Sequence, residues 1–215
     1  MPLPVRPKGP PPRKKRGPPE ASPEQLLSRA RGTLLGLAVG DALGVTNEFK
    51  KMNSEQFPRL NQGTHTQMRG GGPFGVKRGQ VTDDTQMATC LALGLRDLRR
   101  YDLVETAKAY ARWMPHAFDI GVQTKAALEL VLEGKHPEFT GKKVWLESSQ
   151  KAAGNGSLMR CAPIAVFFRW DQAARINATL LDAAITHFSP QCQLADVIFN
   201  AVIAAANTTP KDKLE

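Results

Sequence analysis

Residues 79–100 read GQVTDDTQMATCLALGLRDLRR, and this stretch carries the strongest structural signal in the chain. Its large apolar side chains follow one another at steps of three or four residues, which is the spacing of one face of an α-helix. They are Met87, Leu91, Leu95 and Leu98. Two adjacent carboxylates, Asp83 and Asp84, stand where a glycine-rich loop gives way to this pattern. The stretch therefore predicts a helix from Asp83 to about Arg100 that begins with a pair of acidic groups.

The same helical spacing recurs on both sides of this stretch. Residues 24–43 carry it first, and the glycine-rich loop of residues 44–81 then interrupts it. Asp102 and Ser189 are suitable N-caps for two later helices. The further predicted helices span 103–115, 121–133, 157–168, 171–185 and 190–206, and the stretch 135–156 is mixed. Without sustained β alternation or an internal repeat, the sequence predicts an all-α fold, a compact multi-helix bundle.

Three glycines recur every fourth residue in the first predicted helix, at positions 32, 36 and 40. They share one face of that helix, and each interior glycine costs roughly 1 kcal/mol relative to alanine. Three such residues in one row indicate that another backbone passes close to this face. We therefore expect the first helix to be buried.

The N-terminal segment differs in composition from the rest. Residues 1–22 are rich in proline and carry six cationic side chains against one acidic residue, so they account for +5 of the chain's net charge of +9. A segment with so little to bury is predicted to be a disordered tail, followed by one helical domain over 23–215. The basic run Arg13–Arg16 is the only feature that points to nucleic acid, and the remaining +4 does not favour that partner.

Composition excludes several classes of protein. At 215 residues with 41% hydrophobic content, the chain is long enough for one domain with a substantial core. No run approaches the roughly 18 apolar residues that span a bilayer, and the basic N-terminus lacks the apolar segment of a secretory signal. The three cysteines are widely spaced, which is typical of buried free thiols in a reducing compartment. These features predict a cytoplasmic protein without a membrane partner.

Thr82-Asp83-Asp84-Thr85 is the sharpest candidate site. Adjacent carboxylates with flanking hydroxyls are hard oxygen ligands for Mg²⁺, Mn²⁺ or Ca²⁺. The alternative is helix capping, because Asp83 and Gln86 have the spacing of a capping box. Capping requires only one of the two aspartates, and the second repels the first unless a cation lies between them.

Two glycine-containing segments provide further candidates. Asp41 and Glu48 lie at and after the end of the glycine-rich first helix. A carboxylate there can reach a metal-bound water or a substrate. The alternative is a turn at the end of the helix with solvated acids. Residues 154–157, Gly-Asn-Gly-Ser, precede a predicted helix, where exposed backbone N–H groups can hold a diphosphate. An ordinary turn with a helix cap is the alternative for that segment.

Two more polar residues lie at junctions between predicted elements. Asp119 is either an N-cap or a ligand of ribose hydroxyls. His187 has polar neighbours on both sides and is either a structural hydrogen-bonding residue or part of a site. The sequence by itself does not choose between these alternatives.

Taken in order, five segments resemble the ADP-ribosylglycohydrolases, the family that includes dinitrogenase reductase-activating glycohydrolase. The segments are GTLLGLAVGDALGVTNEF at 32–49, GQVTDDTQMA at 79–88, FDIGVQT at 118–124, GNGSLMRCAPIAV at 154–166 and ITHFSP at 185–190. The resemblance extends over about residues 28–206. It implies the orthogonal all-α bundle of that family.

The resemblance also implies an activity and a set of site residues. Family members bind two Mg²⁺ or Mn²⁺ ions and hydrolyse the glycosidic bond between ADP-ribose and an acceptor such as a protein side chain. The implied metal ligands are Thr82, Asp83 and Asp84, and the implied catalytic residues are Glu48, Asp83 and Asp84. The implied substrate-binding residues are Asp119, Gly154, Asn155, Gly156, Ser157 and His187. The acceptor, whether arginine, serine, a base or a small ester, is not specified.

One family feature is not found. Family members carry a second acidic motif near the C-terminus that completes the metal site, whereas Asp212 stands alone before the sequence ends at residue 215. The bundle is therefore expected to be incomplete at its C-terminus and to expose apolar faces that a second copy or a complementary chain covers. We expect a hydrolase that is weakly active by itself. The alternative is a catalytically impaired ADP-ribose-binding module.

Overall fold

The computed structural model describes residues 21–51, 59 and 63–209, and this part of the chain is built from helices. The eight α-helices are α1 (Pro23–Gly44), α2 (Asp83–Leu98), α3 (Leu103–Trp113), α4 (Val122–Leu132), α5 (Pro137–Glu147), α6 (Ala162–Phe167), α7 (Gln172–Thr186) and α8 (Pro190–Thr208). Within the described ranges there is no β-strand, only an isolated bridge between Gly71 and Val76. The predicted all-α fold is confirmed. The tail predicted to be disordered lies outside the described residues, apart from Ala21 and Ser22.

Side-chain caps define where several helices begin. Ser22 and Gln25 form a reciprocal capping box at the start of α1, with hydrogen bonds of 2.9 and 3.2 Å. Asp102 accepts a hydrogen bond from the Glu105 N–H at the start of α3, as its predicted N-cap role requires. Because a cap satisfies N–H groups that the first turn leaves unpaired, these starts are determined locally.

The core lies among α2, α3, α4, α6 and α7. Its central side chains are almost completely buried and come from all five helices: Met87, Leu91, Tyr110, Leu128, Ile164 and Ile185. Around it, α5 packs against α4 and α7, and α8 packs against α6 and α7. Helix α1 contacts α2, α6 and α8. This arrangement brings the C-terminal end of α1 next to the N-terminal start of α2.

Two predicted ranges need correction. The mixed stretch 135–156 contains α5, which begins with Pro137 in its first turn. The helix predicted over 157–168 is instead a 3₁₀ turn, Leu158–Arg160, followed by the short helix α6. Pro163 lies in the first turn of α6, where its missing N–H costs no hydrogen bond, so the chain restarts a helix there.

The expectation that α1 is buried along its glycine row was wrong. A Cβ built on Gly32, Gly36 or Gly40 meets nothing within 4 Å. Four large apolar side chains of α1 are also exposed: Leu27, Leu34, Leu35 at 64% and Val39. A second exposed apolar group lies on α8: Leu194, Ile198, Phe199 and Val202. Helix α1 packs through other positions, and its glycine row faces away from the described neighbours.

No helix in residues 21–51, 59 and 63–209 is long and apolar enough to cross a lipid bilayer. The three cysteines are free thiols, of which Cys161 and Cys192 are buried and Cys90 is half-buried.

Candidate active site

A cleft of about 1020 Å³ opens where the end of α1, the start of α2 and the loops before α4 and α6 meet. Nine predicted site residues line it: Glu48, Thr82, Asp83, Asp84, Asp119, Gly154, Asn155, Gly156 and His187. Its acidic wall consists of Asp41, Glu48, Thr82–Asp84 and Asp119. Its loop wall consists of Gly154–Gly156 and His187. Five segments that are distant in sequence therefore come together as the resemblance implies.

Asp41 joins α1 to the first turn of α2. Its carboxylate accepts hydrogen bonds from the Thr82 N–H at 2.9 Å and the Thr82 hydroxyl at 2.9 Å. It also accepts from the N–H and hydroxyl groups of Thr85. Asp41 lies within the last turn of α1 and is only 8% exposed, so the alternative of a solvated turn is wrong for this residue. These bonds hold the metal-binding candidate segment against the end of α1.

The capping-box alternative for Asp83 is also wrong. Thr82 is the N-cap of α2, and Asp83 is the first helical residue. The Thr82 side chain makes no capping bond. Its hydroxyl donates within hydrogen-bond range of both Asp41 and Asp84, at 2.9 and 3.3 Å. The acidic pair therefore does not serve as a side-chain cap of the helix.

Electrostatics distinguish the acidic wall from an ordinary helix start. Burial, followed by the nearby charges of Asp119 and Asp84, raises the pKa of Asp83 to about 7. Burial and Asp41 raise the pKa of Asp84, and burial with Asp119, Asp84 and Asp41 raises that of Glu48. Burial and Asp41 likewise raise the pKa of Asp119. Between described residues no Lys or Arg forms an ion pair with these groups, so hydrogen bonds such as those from Thr82 relieve their repulsion only in part.

The donor chemistry of this wall fits a hard divalent cation. Clustered carboxylates and a hydroxyl are the ligands that Mg²⁺ and Mn²⁺ prefer, and an added cation would relieve the repulsion. Within residues 21–51, 59 and 63–209, however, no three His, Cys, Asp or Glu side chains are close enough together to hold an ion. The wall therefore provides a partial coordination shell. A complete shell requires further oxygen ligands.

Glu48 lies at the edge of the cleft, directly after the 3₁₀ turn Val45–Asn47. The backbone at Gly72 packs against this turn, because a Cβ at Gly72 would lie 2.8 Å from the Thr46 Cα. Gly72 also has a φ of +71°, which disfavours any other residue there. The glycine-rich loop thus supports the backbone that presents Glu48.

Three aromatic rings form a rim beside Glu48. Phe49 and Phe74 lie 6.1 Å apart between ring centroids, as do Phe74 and Phe118. All three line the cleft, and Phe49 is 79% exposed. Such a row of rings offers its faces to a planar or cationic group.

Asp119 is not a helix cap, since Gly121 is the N-cap of α4. The neighbouring Gln123 donates to the Thr186 carbonyl at 3.1 Å and accepts from the Gly154 N–H at 3.3 Å. Gln123 therefore links the start of α4 to Gly154 of the loop wall and to the residue that precedes His187.

His187 packs directly against the glycines of the loop wall. A Cβ on Gly156 would lie 2.6 Å from the His187 Cε1, and one on Gly154 would lie 3.5 Å from its Nε2. A side chain at position 156 would therefore clash with the imidazole, whereas one at position 154 would make an ordinary contact with it. The helix that follows is one 3₁₀ turn, so the expected support from an α-helix dipole is absent at this loop.

Ser157 is the one predicted site residue that does not line the cleft. Its side chain is fully buried, and its hydroxyl has no well-formed hydrogen bond. It lies near Asp196 of α8, whose two carboxylate oxygens also lack such bonds and whose pKa burial raises to about 6. The Ser157 side chain therefore does not form part of the cleft lining, and the role of Ser157 in substrate binding stays a prediction.

His187 is 2% exposed, and burial followed by the Arg160 charge lowers its pKa to about 3. Its ring is therefore neutral at physiological pH. Its Nδ1 lies 2.8 Å from the Thr186 hydroxyl, and the ring lines the cleft.

Arg160 is the main structural residue that sequence analysis missed. It is fully buried, and its guanidinium donates to the Asp182 carboxylate at 3.0 Å and the Gly156 carbonyl at 3.2 Å. Its carbon Cζ lies 4.6 Å from the centre of the Tyr110 ring. No local signal marks this arginine, because its charged and aromatic partners, Asp182 and Tyr110, are contributed by α7 and α3.

Comparison with known proteins identifies the family. The family model for ADP-ribosylglycohydrolase matches residues 22–215. The chain belongs to this family. The resemblance stated from the five segments is confirmed.

Individual relatives support the same assignment to the ADP-ribosylglycohydrolase family. ADP-ribosylarginine hydrolase Tri1 of Pseudomonas putida is 38% identical over 185 residues, covering 80% of this chain and 46% of that protein. The ADP-ribosyl-dinitrogen reductase glycohydrolase of Rhodospirillum rubrum is 35% identical, covering 75% and 52%. A solved ADP-ribosylglycohydrolase-related protein complex superposes with a TM-score of 0.69 at 31% identity, covering 86% of this chain and 58% of that one. The chain thus spans about half the length of the curated relatives.

Proposed function

We propose that this chain carries one half of a metal-dependent hydrolase site that removes ADP-ribose from a modified protein side chain or a small ADP-ribosylated molecule. The observation that carries the proposal is the opposition of an only partly compensated acidic wall and a glycine loop across one cleft. The relatives' names support the same chemistry, since one is named an ADP-ribosylarginine hydrolase and the other an ADP-ribosyl-dinitrogen reductase glycohydrolase.

The loop wall is proposed to bind the ADP-ribose. Gly154–Gly156 brings backbone close to the cleft, and His187 adds a neutral polar edge, which together suit the oxygens of a diphosphate. Asp119 faces the same cleft and can accept hydrogen bonds from ribose hydroxyls. We retain Ser157 as a backbone contributor to this loop.

The acidic wall is proposed to hold Mg²⁺ or Mn²⁺ through Thr82, Asp83 and Asp84. Bound there, the ions would orient the ribose hydroxyls and activate a water molecule. Asp41 would keep these ligands in place through its hydrogen bonds to Thr82 and Thr85. Oxygen ligands beyond the described residues are needed to complete the shell.

Glu48 is proposed to act on a proton at the acceptor side of the cleft. Its raised pKa lets its carboxyl hold a proton closer to neutral pH than an ordinary glutamate does. The glycosidic bond breaks as the anomeric carbon gains positive character, and the acceptor atom leaves with its electron pair. A proton from Glu48 would then neutralise that atom.

Arginine is the acceptor that we propose to test first. The aromatic rim beside Glu48 suits a planar cationic guanidinium. The Pseudomonas relative is named an ADP-ribosylarginine hydrolase. Serine and small esters lack the charge that this rim would recognise.

The test is release of ADP-ribose from an ADP-ribosyl-arginine peptide, with Mg²⁺ or Mn²⁺ and with EDTA, beside Asp83→Ala. Release that requires both metal and Asp83 is the expected result, at a low rate. Release that is equal in EDTA or in Asp83→Ala would overturn the proposed metal role.

The second candidate is an ADP-ribose-binding module without turnover. The incomplete cation site of the described residues favours it. Calorimetry with ADP-ribose distinguishes the two functions, because a binding module would show affinity but no release from the peptide under any metal condition.

The exposed apolar faces of α1 and α8 support a further partner. We propose that a second copy or a complementary chain covers Leu35, Ile198 and their neighbours, because large apolar patches are uncommon on isolated proteins. Light scattering of the purified chain tests this. A strictly monomeric protein that stays soluble at high concentration would contradict it.

The location of the protein is also a proposal. The three free thiols are consistent with a reducing compartment such as the cytoplasm. Nucleic acid is not proposed as a partner, since the basic run lies only in residues 1–22.

A further inference from the structure

The hydroxyl of Thr186 lies between a buried arginine and the histidine of the loop wall. Arg160 Nη1 donates to the Thr186 Oγ1 at 2.9 Å, and the same oxygen lies 2.8 Å from the His187 Nδ1. Arg160 and Thr186 are completely buried, and His187 is 2% exposed. Water therefore does not compete for these contacts.

The directions of these two hydrogen bonds follow from the groups involved. A guanidinium can only donate, so the Thr186 oxygen accepts from Arg160. The hydroxyl has one hydrogen of its own to donate. Among the described residues, the His187 Nδ1 is the one other group that Thr186 Oγ1 contacts within hydrogen-bond distance. A hydroxyl oxygen has two lone pairs, but an N–H on Nδ1 would leave the buried Thr186 hydrogen without an acceptor among the described residues. The favoured arrangement therefore has Thr186 donating to an unprotonated Nδ1, with the ring hydrogen on Nε2.

The guanidinium is itself held in a fixed orientation. Asp182 accepts from Arg160 Nε through its carboxylate at 3.0 Å and from Nη2 through its carbonyl at 2.8 Å. The Tyr110 hydroxyl donates to the other Asp182 oxygen at 2.8 Å. Since every part of the network is buried and bonded, Arg160 cannot turn away from Thr186 without leaving a charge unpaired.

The Nε2 edge of the imidazole lies against the glycine loop that lines the cleft. His187 Nε2 would lie 3.0 Å from a Cβ on Gly156 and 3.5 Å from one on Gly154, so it is next to the glycine loop. No hydrogen bond partner for Nε2 is present among residues 21–51, 59 and 63–209. A hydrogen on this nitrogen is thus available to a ligand in the cleft.

We propose that Arg160 and Thr186 are positioning residues that hold His187 as the neutral Nε2–H tautomer, so that it donates one hydrogen bond to an oxygen of the bound ligand. The ligand rests on the proposed function, in which the oxygen belongs to the diphosphate or a ribose of ADP-ribose. In this role His187 donates a hydrogen bond and does not take up a proton. The same arginine anchors the Gly156 carbonyl, so it orients the loop and the histidine together.

The tautomer can be measured directly by ¹⁵N–¹H correlation spectroscopy of the histidine side chains in the full chain without ligand. The wild-type His187 is expected to show a protonated Nε2 and an unprotonated Nδ1 at neutral pH, and its signals are assigned by their loss in His187→Asn. A protonated Nδ1, or an imidazolium near neutral pH, would overturn the proposal.

Substitutions at Thr186 test the origin of the preference. Thr186→Val removes the hydroxyl while keeping the shape, and it is expected to mix the two tautomers and weaken ADP-ribose binding about three- to tenfold. Thr186→Ser keeps the hydroxyl and is expected to restore both. A wild-type tautomer pattern in a folded Thr186→Val protein would show that Thr186 does not set it.

Thr179→Val is the matched control. Thr179 is also buried on α7, and its hydroxyl bonds to the Arg175 carbonyl and Asn200, away from His187. Its loss is expected to lower stability but leave the tautomer and the ADP-ribose affinity unchanged, and an equal change in both variants would overturn the specific role of Thr186. A wild-type protein with the expected tautomer but no affinity for ADP-ribose would contradict the proposed function and leave the positioning of His187 intact.

Discussion

The acidic wall of the cleft gathers carboxylates whose charges oppose one another, whereas the loop wall rests on an arginine whose charge is matched by hydrogen bonds. Asp83 and Asp84 are adjacent, and burial and neighbouring acids raise their pKa values. Behind the loop wall, Arg160 is fully buried, yet Asp182, Gly156 and Thr186 accept its hydrogen bonds.

This difference assigns separate roles to the two walls: the acidic wall is arranged to bind a ligand, and the network behind the loop wall stabilises the fold. An uncompensated cluster of like charges costs stability, and it persists where a ligand of opposite charge relieves it. A buried network in which every group is bonded instead fixes the positions of its members. Removing one member strongly destabilises the fold, because it leaves a buried charge without its partner. The acidic wall is therefore the part of the site expected to respond to cations, and the loop wall is the part expected to respond to mutation of its support.

The largest effect is expected from breaking the loop-wall network. Arg160→Met leaves the Asp182 carboxylate buried without its charged partner, which costs about 3–5 kcal/mol of unfolding free energy. Urea denaturation measures this loss. The double variant Arg160→Met/Asp182→Leu is expected to recover part of it, because it removes the orphaned charge.

Arg96→Met is the matched control for that substitution. Arg96 pairs with Asp97 at 2.6 Å on the surface, and such exposed pairs contribute little. A similar loss of stability in both variants would show that burial of the Arg160 pair is not the cause.

The next effect concerns the acidic wall and pH. In the folded protein the pKa of Asp83 is about 7, against an ordinary 3.8. Without metal, the free energy of unfolding of the protein therefore falls as the pH rises between these two values. Asp83→Asn removes this penalty. In EDTA, its gain in unfolding free energy over the wild type is expected to be roughly 2 kcal/mol larger at pH 7.5 than at pH 4.5. Thermal unfolding at the two pH values measures it.

Added Mn²⁺ provides the control on that prediction. It should stabilise the wild-type protein at pH 7.5 and have little effect on Asp83→Asn, because the variant loses a proposed ligand. Identical pH profiles for the two proteins would contradict the proposed repulsion.

A smaller effect is expected from Asp196, a buried acid of α8 near Ser157 of the loop. Its pKa of about 6 against an ordinary 3.8 means that ionisation destabilises the fold as the pH rises from about 4 to 6. Asp196→Asn is expected to raise stability at pH 8, relative to pH 5, by roughly 1–2 kcal/mol. A pH-independent change would contradict the raised pKa of Asp196.

The smallest effects compare two glycines. Gly36→Ala is expected to stabilise α1 by roughly 0.5–1 kcal/mol, since a Cβ there meets nothing within 4 Å. Gly156→Ala places a Cβ 2.6 Å from the His187 ring and is expected to weaken ADP-ribose binding. Thermal unfolding and calorimetry measure the two outcomes. A destabilised Gly36→Ala protein would show that another chain packs on that face.

Much of the fold was predictable because helices are specified locally. The spacing of Met87, Leu91 and Leu95 and the cap at Asp102 predicted α2 and α3. The errors arose where local pattern was ambiguous. Helix α5 was missed in a mixed stretch, and the glycine row of α1 indicated a close neighbour that the described structure does not contain.

The sequence by itself determined the all-α fold, the family, and the segments that form the cleft, because helical spacing, caps and short motifs are properties of neighbouring residues. Only the tertiary structure decided which groups meet. Asp41 bonds to Thr82 across 41 positions, and Arg160 bonds to Asp182 across 22. Such pairings depend on how helices pack, and a buried ion pair leaves no local pattern. The roles of Asp41, Arg160 and Thr186 therefore became visible only once the chain was folded.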